Sequence, residues 1–472
     1  MRLSTSLALF AAFALSACAT PREARIPLPD AYPVAGAAEA QTLDQWWLAF
    51  NDPELTALVT EALTLSPDAQ SAAARLREAR LTAASALTTF LPQGQLTGSS
   101  RRTETEQVDG QEINIPGFAN SGTSEADQAS LNVSWELDLF GRFFAVRRAA
   151  QGDAAAARFA YEGARASLAA NVADAYFQVR GLATQLDDAR ESARIQRSLY
   201  DLAERRVSLG LTARSEADRV AGELAQIDSQ VESLEAELQA QQRTLLVLVG
   251  RGAAPLDGAP APPLGTQLPP VPAAVPGEIL ARRPDVREAE ARVRSAAGRL
   301  AFAQLAFFPT FTLTPGIGLS RNEQPGFFAT TESWSIGATV SQPVLNIPRL
   351  LLDLKAQDAR TELAVIAYEK VVQTAYAEAE SALTRLAADR RRVDLLTDGA
   401  VRAERAYISA RLGYGAGLTD LNTALGAEQA WRATRAQLTS AEVQALRRAV
   451  QTYKALGGGW PSQALPPKTQ AR

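Results

Sequence analysis

The side chains able to do chemistry are few. Histidine is absent from all 472 residues and cysteine occurs once, at Cys18. A Cys/His zinc cage, an axial histidine for haem and a Ser-His-Asp or Cys-His arrangement are therefore excluded, and so is any disulfide within the chain. What remains is 52 acidic and 48 basic side chains. The carboxylates are spread over helix-like faces, with no glycine-rich phosphate loop after a strand pattern and no clustered metal-ligand spacing, so neither an enzyme nor a cofactor or metal site is expected. A formal net charge of -4, with no run of basic residues longer than three, lacks the electrostatic footprint of a nucleic-acid binder.

The one thiol sits in an address. Met1-Arg2, an apolar stretch over 7–15 and then Leu15-Ser16-Ala17-Cys18 read as the three regions of a secretory signal, too short to span a bilayer permanently. The last four residues resemble the lipobox of bacterial lipoproteins, whose cysteine is acylated before cleavage makes it the first residue of the mature chain. An ordinary signal with an incidental cysteine is the alternative. Residue 19 is Ala, not the Asp that in many Gram-negative lipoproteins retains the product at the inner membrane. The resemblance thus implies a signal over 1–17 and a lipid on Cys18 that anchors the chain to the outer membrane without spanning it.

The elements that must carry a function come twice. Ser66-Pro67-Asp68, Ala74-Arg75-Leu76-Arg77 and Phe90-Leu91-Pro92 recur as Arg283-Pro284-Asp285, Ala291-Arg292-Val293-Arg294 and Phe307-Phe308-Pro309, all displaced by 217. Val133-Ser134, Ala160-Tyr161-Glu162 and Gly210-Leu211-Thr212 recur displaced by 207. The change of offset places ten extra residues between Pro92 and Val133, as a longer loop. Nine prolines over 255–284 mark a connector. The organisation expected is a lipidated N-terminal segment plus first repeat over 18–254, the connector, a second repeat over 285–460 and a tail over 461–472.

Within each repeat, a Pro-Asp helix start opens a shorter helix that ends, in the first, near Phe90. Two strands follow, a hairpin at about 91–139 in the first repeat and about 309–345 in the second. Then come proline-free stretches of 114 and 112 residues, 141–254 and 349–460, each broken near its middle by Gly-Leu-Thr. A helix over 141–208 would be about 100 Å long, beyond any single globular core. Leu224, Ile227, Val231, Leu234 and Leu238, spaced 3-4-3-4, predict coiled-coil packing.

The strands alternate. Ala129, Leu131, Val133, Trp135, Leu137 and Leu139 oppose Ser130, Asn132, Ser134, Glu136 and Asp138; Phe311, Leu313, Ile317 and Leu319 oppose Thr310, Thr312, Thr314 and Ser320; Trp334, Ile336, Ala338 and Val340 oppose Ser335, Gly337, Thr339 and Ser341. The strand beginning near Pro92 is weaker. Such alternation suits a tilted transmembrane strand or a soluble sandwich. Four strands cannot close a barrel, and open edges are prohibited in hydrocarbon, so a membrane barrel would have to be shared by several chains.

Five motifs in order, 46–55 (Trp-Trp-Leu-Ala-Phe-Asn-Asp-Pro-Glu-Leu), 134–142 (Ser-Trp-Glu-Leu-Asp-Leu-Phe-Gly-Arg), 282–287 (Arg-Arg-Pro-Asp-Val-Arg), 307–309 (Phe-Phe-Pro) and 453–460 (Tyr-Lys-Ala-Leu-Gly-Gly-Gly-Trp), resemble the TolC-like outer-membrane factor family, in its OprM/NodT-type lipoprotein branch. The resemblance implies a mainly α membrane protein and a homotrimer. Each chain would give four strands to a twelve-stranded outer-membrane β-barrel, continuous with a long periplasmic α-helical barrel. It implies a passive exit duct for small molecules, working with a periplasmic adaptor and an inner-membrane transporter, with no nucleic acid involved. An exit duct for type I protein secretion is the alternative within the fold, and a periplasmic coiled-coil scaffold without a pore the alternative outside it.

In the family the helix pairs meet at glycine turns at the periplasmic tip, here around Gly210 and Gly417. An acidic residue there faces a tyrosine, which places a candidate lock at Glu216 and Tyr414; a solvated helix position is the other reading of Glu216. Where the family commonly has Asp, this chain has Thr423 and Gly426, and Thr419 replaces a basic residue. Asp420 and Asn422 complete the candidate gate.

Overall fold

A computed structural model of the chain describes residues 43–106, 108–109, 122–256, 264, 268–269, 281–324 and 327–459. Cys18 and the signal, most of the connector, Trp460 and the tail lie outside these residues. A short 3₁₀ helix (Leu43–Phe50) precedes α1 (Pro53–Leu65), α2 (Pro67–Thr88), β1 (Gln93–Thr105), β2 (Gly122–Leu137), α3 (Arg142–Ser208) and α4 (Arg214–Val249). The second repeat supplies α5 (Pro284–Leu305), β3 (Thr310–Gln324), β4 (Phe327–Ser341), α6 (Ile347–Gly415) and α7 (Leu421–Ala455). The helices come in pairs of similar length: α2 and α5 both have 22 residues, α3 and α6 have 67 and 69, α4 and α7 have 36 and 35.

The element boundaries follow local chemistry. Ser66 accepts the Asp68 amide at 3.3 Å and Pro67 opens α2. Gly210 and Gly417 take φ of +68° and +75°, the left-handed conformation that lets each long helix turn sharply into the next. Between β2 and α3, the Asp138 carboxylate accepts the amides of Gly141, Arg142 and Phe143, each at 2.8 Å. Those amides would otherwise be orphans of the helix start.

The described residues fall into two compact units that cut across the repeats: one within 77–156 and 289–368, the other within 43–76, 157–288 and 369–459. The first holds the sheet, ordered β1-β2-β3-β4 and antiparallel throughout. The β2–β3 ladder skips Val133 and Ser134, opposite Pro315 and Thr314, because Pro315 has no N–H to give.

The second unit holds the main core, in which Trp46, Phe50, Leu55, Tyr176, Phe177, Leu245, Leu446 and Tyr453 are buried together. The Asp52-Pro53 step in this core explains the first motif. Asp52 caps α1 through the Glu54 and Leu55 amides at 3.1 Å, while its second oxygen receives Arg180 at 2.5 Å and the Tyr176 hydroxyl at 3.0 Å. The third motif is explained as well. Buried Arg283 binds Asp285 and Glu378, both at 2.7 Å, and donates to the Ala455 carbonyl at 3.0 Å, tying the start of α5 to α6 and the end of α7. Burial alone would raise the Asp285 pKa, but the bonds and charge of Arg283 hold it below the usual carboxylate range.

Candidate functional site: sheet faces and helical tip

The register sorts the sheet into two faces. Leu137 lies beside Phe311 and Phe311 beside Val340; Trp135, Leu313 and Ala338 form the next row; Leu131, Ile317 and Trp334 form another. This face is apolar and uncovered by the chain itself: Trp334 is 81% exposed and Ile336 67%. A contiguous apolar surface of this kind is unusual on a soluble monomer. The opposite face carries Ser, Thr, Asn and Gln, with glycines where space is short. A Cβ at Gly337 would come within 2.7 Å of the Thr314 hydroxyl, and one at Gly316 or Gly318 within 3.1 Å of Asn132 or Ser333, respectively. A Cβ at Gly94, on the apolar face, would make only ordinary contact at 3.5 Å. Crowding confined to the polar face is what a sheet curled with that face inward produces.

In the second unit, four helices meet in an apolar cluster. Leu199 and Ala203 of α3, Ala217 and Val220 of α4, Tyr414 of α6 and Leu421, Ala424 and Leu425 of α7 are all buried. Tyr414 is brought here, 2% exposed. Its hydroxyl makes no bond to Glu216 within the chain, and its polar neighbour is Arg206. The reason lies in the packing: the phenol is sunk among apolar side chains and the Arg206 guanidinium lies over its ring, 5.0 Å from the centroid. Burial pushes the Tyr414 phenol up, Arg206 opposes this, and the nearby Glu216 charge adds to it. Glu216 is half-buried in the first turn of α4.

The other candidate gate residues have local tasks. Asp420 caps α7 by accepting the Thr423 amide at 2.7 Å, and that bond holds its pKa below the ordinary value. Asn422 accepts from Arg219 of α4, and Thr419 donates to the Ala410 carbonyl at 3.1 Å. Arg206 was not marked by the sequence, being one basic residue among many on α3. A buried polar layer was missed too: Gln196 donates to Glu223 at 3.0 Å, and fully buried Glu428 lies 2.7 Å from Arg432. A glutamine and a glutamate inside an otherwise apolar 3-4 pattern are the only signal of it.

Along the hairpin, Arg190–Glu235 at 2.6 Å and Arg197–Asp228 at 3.4 Å join α3 to α4, and the expected stripe turns inward, with Ile227 buried and its neighbours half-buried. Tyr407 of α6 stacks on Trp431 of α7 at 5.0 Å. Among the described residues, no helix is long and apolar enough to cross a membrane. The apolar face of the sheet presents a surface suited to hydrocarbon.

An amphipathic sheet together with paired long helices is the architecture of an outer-membrane channel protein. The sequence profile of the outer membrane efflux protein family matches residues 58–251 and 275–458, and the chain belongs to that family. It is 31% identical over 445 residues to the pyoverdine export outer membrane protein OpmQ of Pseudomonas aeruginosa, covering 91% of this chain and 90% of the relative. It is 30% identical over 469 residues to the toluene efflux pump outer membrane protein TtgC of Pseudomonas putida, covering 96% and 93%. The solved outer-membrane channel OprN matches its fold with a TM-score of 0.80 at 27% identity, over 94% of this chain and all of that one. The TolC-like resemblance and the efflux-channel role are thereby borne out: the chain is an outer-membrane efflux channel protein, and its family consists of channels.

Proposed function

We propose that three copies of this chain close one twelve-stranded β-barrel in the outer membrane and that their long helices form the periplasmic part of the same duct. The observation that carries the reading is the sheet itself. It is apolar on one face, polar and crowded on the other, and open at β1 and β4, whose unpaired edges hydrocarbon does not tolerate. Pairing of β4 with β1 of the next copy satisfies both edges. Along β2 the apolar band runs from Ala129 to Leu137, about 27 Å of strand at ~3.4 Å per residue; a tilt of ~40° leaves about 20 Å, near the ~25 Å band of such barrels.

The duct passes small molecules passively, handed on by an inner-membrane transporter through a periplasmic adaptor. The relatives named for pyoverdine export and toluene efflux support this class of cargo. Acylation of Cys18 adds an anchor in the outer-membrane lipid. The turns at Gly210 and Gly417, with Glu216, Tyr414, Asp420, Asn422 and Thr423, are the candidate periplasmic gate. Detergent-extracted protein run with and without boiling tests the assembly, and planar bilayers test the pore. A heat-modifiable trimer that conducts is expected. A monomer that neither shifts on heating nor conducts would leave the coiled-coil scaffold as the better reading.

A further inference from the structure

The polar face of the sheet is almost free of charge. Over the described strands it carries two ionisable residues, Arg101 toward the end of β1 and Glu136 at the base of β2. The apolar face, by contrast, carries charge beyond its band, among it Arg102, Asp127, Arg321 and Glu332. Glu136 is matched at once by the first residue of α3: Arg142 Nη1 donates to its Oε1 at 3.1 Å, and both side chains are well shielded, at 34% and 17% exposure. The guanidinium also lies against the Phe302 ring, 5.1 Å from the centroid, and the start of its helix is fixed by the Asp138 cap. Charge and countercharge are thus both pinned where strand becomes helix.

Resting on the reading of the polar face as lumen, we infer that Glu136 and Arg142 form a self-compensated ring of three ion pairs at the base of the barrel. The ring adds no net charge to the hydroxyl-lined wall at its own level, where the Asp138 carboxylate is occupied by three helix amides, so the lower part of the barrel passes anionic and cationic cargo alike. Discrimination by charge is left to the helical end. Loss of one partner turns the ring into three like charges around a common axis, and the barrel then prefers one sign.

A cysteine at Ser134, two residues from Glu136 on the same face, reads the local potential through its rates with cationic and anionic methanethiosulfonate reagents. The same chain without the probe supplies the blank. Beside the native pair, the two rates differ only by the reagents' intrinsic reactivity. In Glu136→Gln the cation-to-anion ratio falls roughly sixfold at low salt, the effect of an unpaired unit charge about 7 Å away, and in Arg142→Gln it rises by a similar factor. The exchanged pair, Glu136→Arg with Arg142→Glu, returns the ratio to its native value, which separates loss of compensation from distortion. A probe that reacts while its ratio ignores all three changes overturns the ring. A Ser134 probe that never reacts, while one at Val133 does, overturns the lumen reading beneath it.

Discussion

Removing Arg206 or Tyr414 at the tip should loosen it in a graded order set by what each group touches. The Arg206 guanidinium lies 5.0 Å from the Tyr414 ring centroid and is half-buried, so Arg206→Ala forfeits about 1 kcal/mol of cation–π attraction per chain. That is about a fivefold change in the ratio of closed to open tips. Tyr414→Phe deletes a buried hydroxyl whose polar neighbour, Arg206, does not meet it at hydrogen-bonding geometry. Its desolvation cost disappears with it, so the change should be neutral or slightly favour the closed tip. Tyr414→Ala empties the centre of the apolar cluster and should cost about 3–5 kcal/mol, as large aromatic truncations do. Single-channel recordings of purified protein give the open fraction, and entry of a bulky, normally excluded antibiotic into cells gives an independent measure. The expected order of leakiness is Tyr414→Phe near wild type, Arg206→Ala intermediate and Tyr414→Ala highest. Tyr414→Phe opening the tip as far as Arg206→Ala would refute the reasoning, because the hydroxyl would then be carrying a bond, to Glu216 or another acceptor, that the single chain does not make.

Three further outcomes are expected. Cys18→Ser should abolish palmitate labelling while leaving barrel assembly possible; labelling that persists would end the lipoprotein assignment. Asp138→Ala removes the acceptor of three amides and should cost about 1–2 kcal/mol at the start of α3, seen as faster hydrogen exchange at 141–143 and not elsewhere. Burial raises the Glu428 pKa against the opposing pull of Arg432. Between the ordinary glutamate pKa and the raised one the folded tip binds more of a proton than the unfolded chain, so its stability should be greatest below the ordinary glutamate range and decline as pH rises through the raised value. Thermal unfolding at pH 5 and pH 7 should show that decline, and Glu428→Gln should flatten it.

Much of this fold was legible because repetition and periodicity are properties of the sequence alone. The offsets of 217 and 207 located paired helix starts and paired turns before any packing was considered, and the alternation around Trp135 fixed which residues share a face. β1 was less legible for a physical reason. Gly94, Gly98, Ser100 and Arg102 occupy its outward positions, so its own alternation is diluted, and full register with β2 defines it. At the tip, the resemblance located Tyr414 but not its environment. Whether a tyrosine on a 69-residue helix meets a carboxylate or an arginine depends on how four helices rotate against one another. The motif at 134–142 contains Asp138 but does not by itself show its task. An aspartate three residues before a glycine that opens a helix is a capping signal, and the strand alternation masked it by assigning the same side chain to the polar face.

In the proposed trimer the sheet's apolar face meets lipid and its polar face lines a shared lumen. The most direct measurement compares Ile336→Arg with Ser335→Arg, adjacent residues of β4 on opposite faces near the middle of the band, by the yield of heat-modifiable trimer in outer-membrane extracts. Arg on a lipid-facing midplane site should cost about 2–4 kcal/mol, and a lumen site should accommodate it. Trimer should therefore collapse for Ile336→Arg and persist for Ser335→Arg; equal yields, or the reverse order, would contradict the assignment of the faces.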